Sequence, residues 1–155
     1  MILLTDDLRE RLLANGLERG ADHVPVVKFF NPLGEGVWLA TERNADGDTL
    51  FGLADLGYPE LGSFSLEELA SIVLPFGMRI ERDILFTGDF PISVWAEAAR
   101  EAGSIRAAER ILYERLRLDV TARDAHPELR GTGDERLRIS GFAPRIAGRS
   151  RRPSE

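Results

Sequence analysis

The sequence predicts an α+β protein: a small, mainly antiparallel sheet with helices packed on it, plus a C-terminal helical extension. Three observations predict this. Between residues 23 and 56, three runs rich in Val, Phe, Leu and Trp follow one another across short, turn-rich links. Towards both ends of the chain, apolar residues recur at helical spacing instead. Between these patterns stands Ser65-Leu66-Glu67-Glu68, the signature of a helix start.

Each element can be justified in order. Thr5 is a good N-cap, and Asp6 and Asp7 suit the positive end of a helix dipole. Leu8, Leu12, Leu13 and Leu17 then form one apolar stripe, with Asn15-Gly16 expected to fray the helix and Gly20 to end it. Residues 23–30, HVPVVKFF, read as a first strand, with Pro25 marking its start or an edge. Residues 36–43, GVWLATER, read as a second strand, and 49–56, TLFGLADL, as a third. The Asp-Gly in NADGD, 44–48, makes the hairpin turn between them. Ser65 and Glu68 form a capping box, and Phe64 with Leu69 a hydrophobic staple; Pro75 and Gly77 stop this helix near Leu74. Residues 78–86 supply one more strand and a bend. Pro91 opens a helix with Ile92, Trp95, Ala96 and Ala99 inward, ended by Gly103. Ser104 caps another, with Ile105, Ala108, Ile111, Leu112 and Leu116 inward, and the periodicity fades after Leu118.

At 155 residues the chain holds one domain with a real core and is too short for two ordinary ones. The reading is a core domain over 1–103, a helical extension packed on it over 104–135, and an arginine-rich tail over 136–155, read as mobile because it offers little to bury. The absence of cysteine excludes disulfides and thiolate catalysis, and two histidines, His23 and His126, leave little for a His-based metal site or triad. Both read as surface residues. The start, MILLTDDLRERLL, lacks the positive n-region of a signal peptide, and no apolar run approaches a membrane span, so a cytoplasmic protein is expected. Net charge is −6, split unevenly: residues 1–100 hold 17 acids and 8 bases, net −9, and residues 101–155 hold 9 acids and 12 bases, net +3. An acidic body repels phosphate, which disfavours nucleic acid as its partner. The tail, with Arg145, Arg149, Arg151 and Arg152, could touch nucleic acid or an acidic protein.

The stretch FGLADLGYPELGSFSLEEL, residues 51–69, poses the functional question with its glycines five apart at 52, 57 and 62. A phosphate-binding loop needs a lysine after its last glycine, at a helix start; here Ser63-Phe64-Ser65 follow, then two glutamates. A strand–turn–strand–helix fits better, with Gly52 allowing close backbone packing and Gly57 before Tyr58-Pro59 making the turn. This stretch, followed by IERDILF and preceded by LLTDDLRERLLANG, PVVKFFNP and WLATE, resembles the family designated domain of unknown function 2958, over residues of about 2–100. Its strongest motif, D-L-G-x-P-E-L-G, is matched from Asp55 to Gly62 with Tyr58 at the variable position. The resemblance implies a protein of the kind found on bacterial plasmids, phages and integrated elements. It implies no activity, cofactor or site residue.

Two functional readings follow. In the first, the protein is a non-enzymatic interaction protein of a mobile element, binding a protein partner through an acidic surface and counteracting host defence of the anti-restriction or anti-CRISPR type. A carboxylate-dense face can imitate the phosphates of DNA. Lys28, Asp55, Tyr58, Glu60 and the tail arginines are its interaction candidates. In the second, Asp55, Glu60, Glu81 and Asp83 converge as the carboxylates of a metal-assisted hydrolase. Against it stands a simpler structural account: Asp55 accepts backbone N–H groups of the turn, and Glu60 pairs with Lys28, Arg79 or Arg82. No D-x-D or E-x-x-H core is present, and neither a metal nor a cofactor is expected. Lys28, mid-strand among apolar residues, is read as packing its stem on the sheet and reaching an acid, with Asp55 the expected partner, rather than as a nucleophile. Phe29, Phe30, Trp38, Phe51, Tyr58 and Phe64 could make a platform for bases, but strand alternation assigns most of them to the core.

Overall fold

A computed structural model describes residues 2–126. Its elements are α1 (Asp6–Leu17), β1 (Val27–Phe30), β2 (Val37–Arg43), β3 (Thr49–Asp55), β4 (Pro59–Ser65), α2 (Leu66–Ser71), a 3-10 turn (Pro75–Gly77), β5 (Glu81–Arg82), α3 (Ile92–Ala102) and α4 (Ile105–Ala125). The class is the α+β expected. Five antiparallel strands lie in the order β4-β3-β2-β1-β5. Among the described residues, no helix is long and apolar enough to cross a membrane. The tail over 136–155 lies outside the described residues.

Strand register assigns the faces. Val27 pairs with Ala40 and Phe29 with Trp38, and these point to one side, where Leu12 of α1 and Leu66 and Leu69 of α2 close a core with Leu4 and Ile80. Leu39 pairs with Leu53, and with Val37 these point to the other side, under Trp95, Ala96 and Ala99 of α3 and Ile105, Ala108 and Leu112 of α4. The sheet is thus buried on both faces, and the first half of α4 belongs to the second core. Trp95 is fully buried there; it touches the rings of Phe86, Phe90 and Tyr113, and its indole N–H donates to the Gly88 carbonyl at 3.0 Å. Burial holds the Tyr113 phenol above its usual pKa.

Several local expectations needed correction. Asn15-Gly16 does not fray α1. The Asn15 amide donates to the Thr41 carbonyl at 2.9 Å, and a Cβ on Gly16 would lie 2.3 Å from the Arg43 carbonyl oxygen. The pair is the joint at which α1 crosses β2, where a register shift between Ala40 and Glu42 leaves that carbonyl outside the ladder. Residues 23–26 are not strand: Pro25 has no N–H for a ladder, and the segment is pinned by Ile92, whose N–H donates to the His23 carbonyl at 2.8 Å. The strand expected over 78–86 shrinks to Glu81–Arg82, because Asp83 accepts the Leu85 N–H and turns the chain. Helix α2 ends at Ser71, earlier than Leu74. Helix α4 instead runs on to Ala125, through residues with no apolar stripe to announce it, and Ile111 is 38 % exposed rather than inward. Phe64 is half-buried, so its staple covers the core without being enclosed by it.

The capping box is present in a different form. The Ser65 hydroxyl accepts the Glu68 N–H at 3.1 Å, as expected. The second cap comes from the hairpin turn: Asp48 accepts the Ser65 hydroxyl and the Glu67 N–H, both at 2.7 Å, and its carbonyl accepts the Leu66 N–H at 3.0 Å. In that turn Asp46 accepts the Thr49 hydroxyl and the N–H groups of Thr49 and Asp48, which lower its pKa. That contribution is present above the ordinary carboxylate range and is lost as pH falls through the depressed pKa. A six-residue helix has little stability of its own, so its caps matter. Asp48→Ala is expected to cost about 2 kcal/mol and Ser65→Ala about 1 kcal/mol. Urea melts of the two variants check this order.

Candidate functional site

The D-L-G-x-P-E-L-G stretch forms the end of β3, a tight turn, and the start of β4. Asp55 pairs with Pro59 across the turn, and Gly57 has φ 117°, a conformation that side chains other than hydrogen rarely adopt. Gly52 also has a physical reason: a Cβ there would lie 1.8 Å from the Leu39 carbonyl oxygen of β2. Gly62 has open space, so nothing steric demands a glycine at that position.

Asp55 is buried, at 6 % exposure. One carboxylate oxygen accepts the Gly57 N–H at 3.0 Å, as expected for a turn-capping acid. The other accepts the Ile105 N–H at 2.9 Å, and Ile105 is the first residue of α4. The carboxylate therefore ties the β3–β4 turn to the positive end of a 21-residue helix. Gly103, left-handed at φ 90°, and the Ser104 cap set the helix start in place beneath it. A hollow of about 240 Å³ opens beside the tie, with Glu35, Asp55, Ser104 and Arg106 in its wall. The Arg106 guanidinium donates to the Asn31 carbonyl at 3.0 Å. This is no phosphate cradle, since Asp55 already occupies the N–H that an anion would take.

The other acids do not join it. Glu60 is exposed on β4, and Glu81 lies on β5. These strands are the opposite edges of the sheet, four strand spacings or about 19 Å apart. Among the described residues, no group of three or more His, Asp or Glu side chains is placed to hold a metal ion. Asp83 faces Lys28 instead. The Lys28 ammonium sits 2.6 Å from Glu109 of α4 and 3.5 Å from Asp83, with its side chain only 12 % exposed. Asp55 is not its partner: Lys28 is on β1 and Asp55 on β3, with β2 between them. Glu60 makes none of the ion pairs expected with Lys28, Arg79 or Arg82 among the described residues.

Of the aromatic candidates, Phe29 and Trp38 are core, Phe30, Phe51 and Phe64 are half-buried, and Tyr58 is 67 % exposed. Tyr58 stands with Leu56, 68 % exposed, at the β3–β4 turn, and Glu60 and Leu61 follow along β4. β4 is a seven-residue edge strand, and its outer side makes no ladder with any described strand. Such an edge presents unpaired N–H and C=O groups; Pro59 and Glu60 blunt its first two residues, and Leu61–Ser65 carry neither charge nor bulge. Sequence reasoning placed β4 only as the second strand of a strand–turn–strand–helix, without bounds, because Pro59, Gly62 and three polar residues dilute its strand pattern. The His23 Nε2–H donates to the Glu18 carbonyl, 3.0 Å away, and His23 is no part of this surface. Arg145, Arg149, Arg151 and Arg152 lie outside the described residues.

The fold and this site together define an α+β protein with a helix-covered antiparallel sheet, a buried carboxylate tie and a β4 edge that no described strand pairs. The family model described as "Protein of unknown function (DUF2958)" matches residues 3–106, and the chain belongs to that family. No curated protein and no solved structure matches the chain.

Both oxygens of Asp55 are used, so an amide cannot replace them. Asp55→Asn, whose NH₂ would face one of the two N–H donors, is expected to cost about 2 kcal/mol, and Asp55→Ala about 3 kcal/mol. Thermal melts check this. Added Mg²⁺, Mn²⁺ or Ca²⁺ should leave the wild-type midpoint unchanged; a rise with one of these ions that Asp55→Asn abolishes would revive the metal reading.

Proposed function

We propose that the protein is a non-enzymatic binding protein, which engages a protein partner along its open β4 edge. The observation that carries the proposal is that edge: a seven-residue strand whose outer side is unpaired among the described strands, with Leu56, Tyr58 and Leu61 exposed at and beside its start. An extended segment of a partner adds to such an edge by main-chain hydrogen bonds, and the neighbouring side chains give selectivity. Charge supports the choice of partner. Residues 2–126 hold 22 acids and 13 bases, net −9, so the body attracts basic surfaces and repels nucleic acid. The setting that the family resemblance suggests completes the proposal: a cytoplasmic product of a mobile element, acting on a host defence protein of the restriction or CRISPR kind. The DNA-binding surface of such a protein is basic and would accept an acidic body in place of DNA.

The test uses the wild type and a Tyr58→Ala, Glu60→Lys variant, each as bait in extracts of the native host. Both positions are exposed, so the variant should melt within about 2 °C of the wild type. The expected outcome is a DNA-binding defence protein held by the wild type, released by added duplex DNA, and lost from the variant. Equal capture by both baits would remove β4 as the site. Capture that duplex DNA leaves unchanged would remove the DNA-mimic reading.

A further inference from the structure

A second surface lies in the segment between α2 and β5, and its centre is Phe76. This residue has φ 60° and ψ 22°, the left-handed conformation, and 95 % of it is exposed. A bulky aromatic residue rarely adopts that conformation, because its Cβ crowds the backbone. Nothing in the core compensates, since the ring buries almost no surface. The turn is nevertheless closed tightly: Met78 N–H donates to the Pro75 carbonyl at 3.3 Å, and Leu74 N–H to the Met78 carbonyl at 2.8 Å. A glycine, as at Gly77 with φ 70°, would take the position without strain. Folding therefore does not account for phenylalanine here, and strain held without local return points to use elsewhere.

Beside this turn runs a groove of about 750 Å³, of which Gly77 and Met78 form one wall. Leu66, Met78 and Ile80 give it an apolar lining, and Asp48, Glu67 and Glu81 stand along it with Arg9 and Arg79. The Arg79 guanidinium is turned to the Ala70 carbonyl at 3.4 Å, and Glu67 and Glu81 make no ion pair among the described residues. We propose that the Phe76 turn and this groove form a docking site for a protein partner. Phe76 is the anchor that enters an apolar pocket of the partner, and an apolar, basic segment of that partner lies in the groove. Fixed aromatic anchors of this kind dominate protein interfaces. The partner's basic character follows from the net −9 of residues 2–126 and from Asp48, Glu67 and Glu81, which outnumber Arg9 and Arg79 in the groove. The groove is not the outer side of β4, although its α2 wall, Leu66 and Glu67, directly follows the last residue of that strand.

The experiment has two arms, both on the full chain. In the first, Phe76→Gly is melted. The expected result is a midpoint unchanged or raised by about 2 °C, because strain is removed and no buried surface is lost. A clear fall in the midpoint would make Phe76 a structural residue and overturn the proposal. In the second, photoreactive benzoylphenylalanine replaces Phe76 in the native host, and adducts are read by mass spectrometry after irradiation. The expected adduct joins position 76 to a different protein, through a peptide that is apolar and carries Lys or Arg. Glu67→Lys with Glu81→Lys should lower its yield about tenfold. No adduct, an adduct only with a second copy, an adduct only within the chain, or a yield indifferent to charge reversal would each overturn the proposal.

Discussion

The fold turns on one carboxylate. Asp55 ends β3, is almost wholly buried, and spends one oxygen on the turn to β4 and the other on the first N–H of α4. Local and long-range structure are thereby joined at a single side chain, 50 residues of sequence apart. A charge this buried is tolerated because both oxygens are hydrogen-bonded and because a helix N-terminus favours negative charge. It also closes the motif to chemistry. A carboxylate with both oxygens committed to backbone N–H groups is poorly placed to relay a proton or to complete the coordination of an ion.

The other polar contacts inside the fold have the same character: each joins two elements. Lys28 fastens α4 and the turn after β5 to β1, through Glu109 and Asp83. Asn15 fastens α1 to the bulge in β2. Asp48 fastens the β2–β3 hairpin to α2. Among the described residues the buried Arg43 Nε is the exception, left without a hydrogen-bond partner, and the remaining unused polar groups lie outside. That remainder consists of a strand edge, a few exposed apolar side chains and an excess of carboxylates, the features on which the proposed binding role rests.

Much of this was legible in the sequence, and the rest was hidden for physical reasons. Caps and turns were legible because they are local: Thr5, Ser65 and Ser104 cap the helices their spacing announces, and Gly57 makes its turn. The role of Asp55 in its turn was legible for the same reason. Its bond to Ile105 was not, because partners distant in sequence leave no periodic trace. The Lys28 partner was misassigned to Asp55 on the ground of charge alone, while strand order decides reach, and β2 stands between them. The four carboxylates read together at 55, 60, 81 and 83 are separated by the same strand order. Phe76 gave no signal at all: Pro-Phe-Gly reads as a turn, and neither the left-handed φ nor the exposed ring can be read from residue type.

The central claim is that the Asp55 carboxylate is a structural tie between turn and helix. Native-state amide exchange of Gly57 and Ile105, read by NMR in the wild type and in Asp55→Asn, tests it most directly. If the tie holds, the Ile105 amide of the wild type exchanges only on global unfolding, as its core neighbours Ala108 and Leu112 do. In the variant, Ile105 or Gly57 loses that protection while Leu39 and Leu53 in the sheet keep their rank. Rapid exchange of Ile105 in the wild type, or protection at both sites that the variant leaves untouched, would contradict the account.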